Sequence, residues 1–246
     1  MRNHLIIRKS ALLTGLLLGM VLTSVPVEAV IVPYTEDFSG DAANWHDAGG
    51  GSLLTYVPTG GPDGGSYVVG TFNFLGSGVG DTVPLFRAHD EFNSSHGAFV
   101  GNWVAEGVDG YSVYVRHHAP FDLTFFNRYA SPNNFPAANS VFAPAVPPDT
   151  WVALGVPIPD PGFVFEGPFT YEQVFSNIGH LQVGIVVAPG LAGLNQIFTF
   201  DLDKVTVTPE PHTLTLLLLG GLLMRRTARG RRPTDRRPVP TAGEAV

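Results

Sequence analysis

The chain has 246 residues, of which 29 are glycine and 21 proline. That share is well above the average for the two together and argues against a helical bundle, whose interior tolerates neither. Hydrophobic residues at 44% and aromatics at 11%, including 17 Phe, supply one sizeable core, so intrinsic disorder is excluded for most of the chain. The absence of cysteine excludes disulfide scaffolds, thiol nucleophiles, iron–sulfur clusters and cysteine-ligated zinc. The formal net charge is −7, from 14 basic and 21 acidic residues, and the charge is sharply segregated along the chain.

At the N-terminus Arg2, Arg8 and Lys9 precede a largely apolar run over residues 11–22, and Val27-Glu28-Ala29 ends in a small residue that signal peptidase accepts. Twelve residues of helix cover about 18 Å, well short of a hydrocarbon layer of about 30 Å. Residues 1–29 therefore read as a secretory signal cleaved after Ala29, not as an anchor.

Between residues 30 and 208 the basic residues are Arg87, Arg116, Arg128 and Lys204, against 17 Asp and Glu, a formal charge of −13. Such a surface repels phosphate backbones, so nucleic acid is excluded as a partner, while neutral glycans, divalent cations and cationic partners are not. Short apolar or alternating runs recur between Gly, Pro, Asn and Asp clusters, at 53–57, 67–74, 83–87, 98–105, 111–117, 121–128, 151–158, 181–188 and 197–207. About nine short strands predict an all-β sandwich or barrel. One run departs from this pattern. Thr170 and Gln173 have capping-box spacing ahead of 171–178, which Gly179 ends, so a single short helix is expected there. In the last strand Phe198, Phe200 and Leu202 share one parity and Val205 and Val207 the other. An extra residue near 201–204 would let all five face inward, which predicts a β-bulge.

Glycan binding needs aromatic faces for sugar rings and polar groups for hydroxyls, and the available platforms are Trp45, Trp103, Trp151, Tyr111 and Tyr114. Alternation along 111–117 places Tyr111, Val113, Val115 and His117 on one face and Ser112, Tyr114 and Arg116 on the other. A ligand wall of Tyr114 and Arg116 with Trp103 from a neighbouring strand, and Arg128 as a further polar companion, is the expectation for a glycan surface. A sandwich also buries tryptophan as core, so that role stays open for Trp103. His117 and His118 are adjacent on a strand and point to opposite faces, so they cannot chelate one ion together. Ser94-Ser95-His96 with Asp90-Glu91 reads as turn chemistry, because no Gly-x-Ser-x-Gly elbow accompanies it. The stretch 76–80 lacks dinucleotide-binding spacing and reads as a loop. Nothing selects one pair among the 17 carboxylates, so no catalytic residue is assigned. A small polysaccharide-cleaving enzyme on the same scaffold is the alternative.

The opening Glu36-Asp37-Phe38, with Gly40 and Trp45, and the closing run from Phe198 to Val205 are similar to the first and last strands of jelly-roll carbohydrate-binding modules of the cellulose- and xylan-binding type. The matching stretches cover only about a tenth of the chain, a fold-level analogy. The resemblance implies a jelly-roll β-sandwich whose terminal strands pair, with a structural calcium near them. Glu36, Asp37, Asp201 and Asp203 are the hard oxygen ligands available for it, the other reading being solvated carboxylates that discourage edge pairing.

The C-terminus reads Pro209-Glu210-Pro211, then an uncharged apolar run over 214–224, then Arg225-Arg226 and five more arginines through Arg237. This order resembles the PEP-CTERM sorting signal of Gram-negative bacteria over residues 209–232, followed by a polar tail, 233–246. The resemblance implies that Pro209, Glu210 and Pro211 are recognised by an exosortase, that 214–224 is a transient inner-membrane helix, and that Arg225 and Arg226 hold its cytoplasmic end. The expectation is an exported, non-enzymatic protein of the cell surface or extracellular polysaccharide matrix, structural or glycan-binding.

Overall fold

The computed structural model describes residues 29–210. Residues 1–28 of the signal segment 1–29, and Pro211, the apolar run, Arg225, Arg226 and the polar tail, lie outside the described residues. Among the described residues no helix is long and apolar enough to cross a membrane.

Two antiparallel sheets face each other. The first contains β1 (Tyr34–Glu36), β2 (Thr55–Val57), β3 (Tyr67–Asn73), β5 (Val108–His117), β8 (Val152–Pro157) and β11 (Ile197–Pro209). Its spatial order is β2-β3-β11-β5-β8, with β1 also paired to β11. The second sheet contains β4 (Thr82–His89), β6 (Thr124–Ala130), β7 (Ala137–Val141), β9 (Val164–Phe165) and β10 (His180–Val186), in the order β4-β10-β6-β7-β9. The chain crosses between sheets repeatedly, as in a jelly roll, and the terminal strands β1 and β11 pair through Glu36 and Val205. The all-β sandwich with one short helix that the sequence predicts is the fold observed.

Alternation explains the layers. On β5 the buried Tyr111, Val113 and Val115 join the core, while Ser112, Tyr114 and Arg116 point outward. On β10 Leu181, Val183 and Ile185 face inward and His180, Gln182 and Gly184 stand on the outer face. Between the sheets lie Trp45, Phe74, Phe125, Tyr129 and Phe200 with the aliphatic residues of the facing strands.

The bulge in β11 is present. Its pairing with β5 jumps from Asp203 opposite Tyr114 to Thr206 opposite Ser112, and Lys204 takes a left-handed φ of 48°. Phe198, Phe200 and Leu202 before the break and Val205 and Val207 after it all reach the core. β11 continues to Pro209, opposite Val108, and the Glu210 amide still donates to the Gly107 carbonyl at 2.8 Å.

The helix α1 spans Tyr171–Phe175. The Thr170 hydroxyl accepts from the Gln173 amide at 3.4 Å, and the Gln173 side chain accepts from the Thr170 amide at 2.9 Å, completing the capping box. The helix stops at Ser176 instead of running to 178, because Ile178 leaves it to bridge Gly101. The expected strand at 98–105 is instead a turn-rich connection. Gly101 and Trp103 donate backbone bonds to Ile178 and Phe175 at 2.8 and 2.9 Å, so Ala98, Phe99 and Trp103 are buried from loop geometry and not by alternation. The short strands β7 and β9 were not anticipated. The β7 sequence, Ala-Ala-Asn-Ser-Val, has little intrinsic β preference and is held by its neighbours.

Candidate functional site

The four residues expected to form a ligand surface are distributed over three places. Trp103 lies fully in the core, its indole N–H donating to the Phe99 carbonyl at 2.8 Å and its ring edge-on to Tyr129. It is not a platform, because the strand expected to display it is absent. Tyr114 and Arg116 stand on the outer face of the first sheet. Arg116 Nε donates to Asp201 Oδ2 at 2.6 Å, and its guanidinium covers the rings of Trp151 and Tyr67 at 4.7 and 5.2 Å. These groups engage one another. Arg128 belongs to the second sheet.

The four terminal carboxylates do not form one calcium site either. The buried Glu36 accepts from the Tyr34 hydroxyl at 3.0 Å and the Phe38 amide at 2.9 Å. Asp201 is held by Arg116, with His118 Nε2 a further 3.3 Å away. Asp37 and Asp203 line a small cavity of about 140 Å³ with Asp63 and Lys204, whose ammonium sits 2.6 Å from Asp63. Burial pushes the Asp203 carboxyl up to about 7; the Lys204 amide and ammonium oppose this, and the charges of Asp63 and Asp37 add to it. Among the described residues the four carboxylates do not bring three ligand atoms together, so they do not fit the expected ion.

The outer face of the second sheet is organised differently. Strand register lines up Arg87, Gln182, Arg128 and Asn139 on four successive strands, β4, β10, β6 and β7. Two of the four cations between residues 30 and 208 therefore flank one buried amide. Arg87 Nε donates to the Ala48 carbonyl at 2.9 Å, and burial followed by the charge of Arg128 lowers its pKa. Arg128 is clamped by both Glu166 oxygens, at 2.5 and 2.8 Å, and by Asn134. Its guanidinium lies 5.7 Å from the ring centre of Phe135, an aromatic that is 52% exposed.

Asn139 joins this polar line to a groove of about 390 Å³ lined by Thr82, Phe126, Ser140, Val141, Asp160 and Val164, among others. The groove is predominantly apolar, since Phe126, Val141 and Val164 supply much of its wall. Gly184 opposes Phe126 in the ladder, and a Cβ there would meet the Phe126 ring at 2.7 Å and the Val83 carbonyl at 2.0 Å. At the opposite end of β10 the imidazoles of His89 and His180 stack beside Glu91. Burial and the neighbouring His180 lower His89 to about 4, against the pull of Glu91.

Of this face the sequence reading selected Arg128 alone. Gln182, His180 and Gly184 alternate with Leu181, Val183 and Ile185, so their outward parity was legible. The register that aligns them with Arg87 and Asn139 was not.

No family model matches the chain, and no curated protein does. Solved structures to which it is similar include the family 30 carbohydrate-binding module of a cellulosomal cellulase of Clostridium thermocellum. That match has 13% identity and a TM-score of 0.39, over 75% of this chain and 95% of that one. The family 11 carbohydrate-binding module of another cellulosomal cellulase of this organism matches at 15% identity and a TM-score of 0.41, over 74% and 96%. The CBM22-1 and GH10 modules of an endo-1,4-β-D-xylanase from the same organism, complexed with xylohexaose, match at 18% identity and a TM-score of 0.46. There the match covers 73% of this chain but 28% of the xylanase chain.

Proposed function

We propose that the protein is an exported, non-catalytic glycan-binding component of the cell surface or extracellular polysaccharide matrix, and that the glycan lies along the outer face of the second sheet. The observation that carries this reading is the polar line Arg87–Gln182–Arg128–Asn139 running into the apolar groove at Phe126, Val141 and Val164. Sugar rings offer apolar faces and hydroxyl edges, and a site for them combines the two kinds of surface. Phe135 supplies an exposed aromatic face beside Arg128. The formal charge of −13 over residues 30–208 favours a neutral glycan over an anionic one.

Hydrolysis needs two carboxylates across the bound sugar, one of them free to donate a proton. Asp160 is the carboxylate lining the groove, and Glu166 nearby is committed to Arg128. That arrangement favours binding over cleavage. Export and sorting rest on the N-terminal signal pattern and on Pro209-Glu210-Pro211, whose Pro209 is the last residue of β11 and whose Glu210 is exposed. Exosortase processing would remove the apolar and arginine-rich segment and release the sandwich outward.

The test is retention of the purified full-length chain on a panel of immobilised neutral and acidic polysaccharides, paired with an assay for reducing ends. Retention on at least one neutral glycan without release is expected. Release of reducing ends would establish the enzyme instead, and absence of retention on every glycan would overturn the binding reading. Intact mass of the secreted form should lack both ends; a form that still ends at Val246 would contradict processing.

A further inference from the structure

The outer face of the second sheet carries a separate cluster at the end remote from the apolar groove. His89, the last residue of β4, and His180, the first of β10, are direct partners in the ladder, so both imidazoles stand on the same face. Their rings stack at 3.8 Å with an 8° interplanar angle. The stack continues from His89 to Phe92 at 5.0 Å and from Phe92 to His46 at 3.8 Å. Glu91, in the short 3-10 turn after β4, brings its carboxylate to both ring edges. Oε1 lies 2.9 Å from His89 Nδ1 and Oε2 lies 2.9 Å from His180 Nε2.

We infer that His89 Nδ1, His180 Nε2 and the Glu91 carboxylate bind a divalent transition-metal ion of the zinc class. Two imidazoles and one carboxylate are the donor set that suits zinc and its neighbours, whereas calcium and magnesium take oxygen ligands. The three ligand atoms lie within 4.8 Å of one another. Bonds of about 2.0–2.2 Å at tetrahedral angles set ligand atoms about 3.3 Å apart. Closing that difference takes a turn of the imidazole rings together with a shift of Glu91, whose side chain is half exposed.

The backbone ladder fixes the two histidines opposite each other, and metal binding turns their stacked rings so that the plane of each contains the ion. Gln182 Nε2 lies 3.0 Å from His89 Nε2. When His89 gives Nδ1 to a metal it carries its proton on Nε2, and turning the Gln182 amide over brings its oxygen to accept that hydrogen bond. Ligating histidines are oriented in this way by a partner on the second ring nitrogen. Asp90 Oδ1 lies 3.4 Å from His180 Nε2. The acidic surface of the domain draws cations toward it. The inference does not depend on glycan binding, since the cluster is complete without a sugar.

Zinc titration of the full-length chain by calorimetry, with cobalt as a spectroscopic substitute, tests the site. One tight zinc per chain is expected, with visible ligand-field bands from cobalt and a raised thermal unfolding midpoint when zinc is present. His180→Ala and Glu91→Gln should each weaken zinc by at least about tenfold, and Gln182→Ala by roughly tenfold through His89. Glu91→Gln replaces an exposed side chain with an isostere, so it keeps the test interpretable if His180→Ala folds poorly. His96→Ala, at an exposed histidine outside the cluster, should leave binding unchanged. Failure to bind zinc, or zinc binding that Glu91→Gln and His180→Ala leave unaltered, would overturn the assignment.

Discussion

Asp203 shows how position changes the chemistry of a side chain. The folded protein keeps its proton up to about 7, because burial outweighs the Lys204 amide and ammonium and the charges of Asp63 and Asp37 add to it. The unfolded chain releases that proton near the ordinary aspartate value, about 3.9. Between those values the native state binds the more protons, so the stability Asp203 contributes is present below about pH 4 and lost as pH rises toward 7. Asp203→Asn should flatten the pH dependence of the unfolding midpoint across that window and raise the midpoint above pH 7. Parallel curves for parent and variant would contradict this account. Trp103 makes the complementary case. Its indole satisfies the Phe99 carbonyl inside the core, so Trp103→Phe should cost about 1–3 kcal/mol from the unpaired acceptor. Chemical denaturation should show that loss while glycan binding per folded molecule stays unchanged. Nothing in the local sequence separates a buried tryptophan from a displayed one. The outward parity of Tyr114 and Arg116 was legible, but the engagement of Arg116 by Asp201, Trp151 and Tyr67 depends on strands distant in the chain.

At the level of elements, legibility followed the strength of local chemistry. The strands with alternating or branched apolar residues, β3, β4, β5, β8, β10 and β11, lie where the pattern places them. The parity break in β11 became a bulge because two sets of large apolar residues had to enter one core. The capping box formed because Thr170 and Gln173 satisfy each other's amides without help from the rest of the fold. Thr170→Ala should therefore cost about 0.5–2 kcal/mol, readable as a lower urea midpoint, since Val174 and Phe175 of α1 are buried in the core. An unchanged midpoint would mean that packing alone holds the helix. The segment 98–105 misled because apolar residues reach a core equally well from turns held by backbone bonds to residues 175 and 178. The weak strand β7 was invisible because its pairing with neighbours, not its composition, makes it a strand, and β9 because a run of two residues is too short to show a pattern.

Over the described residues both outer faces engage their cations, and the two differ in the apolar groove beside the second. On the first sheet Arg116, Asp201, Trp151 and Tyr67 satisfy one another, and Lys204 is paired with Asp63. On the second sheet the register draws Arg87, Gln182, Arg128 and Asn139 into one line that ends in an apolar groove, with Phe135 exposed beside it. The −13 charge over residues 30–208 and the sandwich architecture were both legible in the sequence, the first as a count and the second as a succession of short strands. Which face binds was not, because a face is a property of register. The most direct measurement is glycan affinity of parent protein beside Arg128→Ala, Phe135→Ala and Tyr114→Ala, each checked for folding by its unfolding midpoint. The account predicts that Arg128→Ala and Phe135→Ala lose roughly tenfold or more, about 1.4 kcal/mol each, while Tyr114→Ala binds as the parent does. Loss with Tyr114→Ala and retention with the other two would move the site to the first sheet and contradict it.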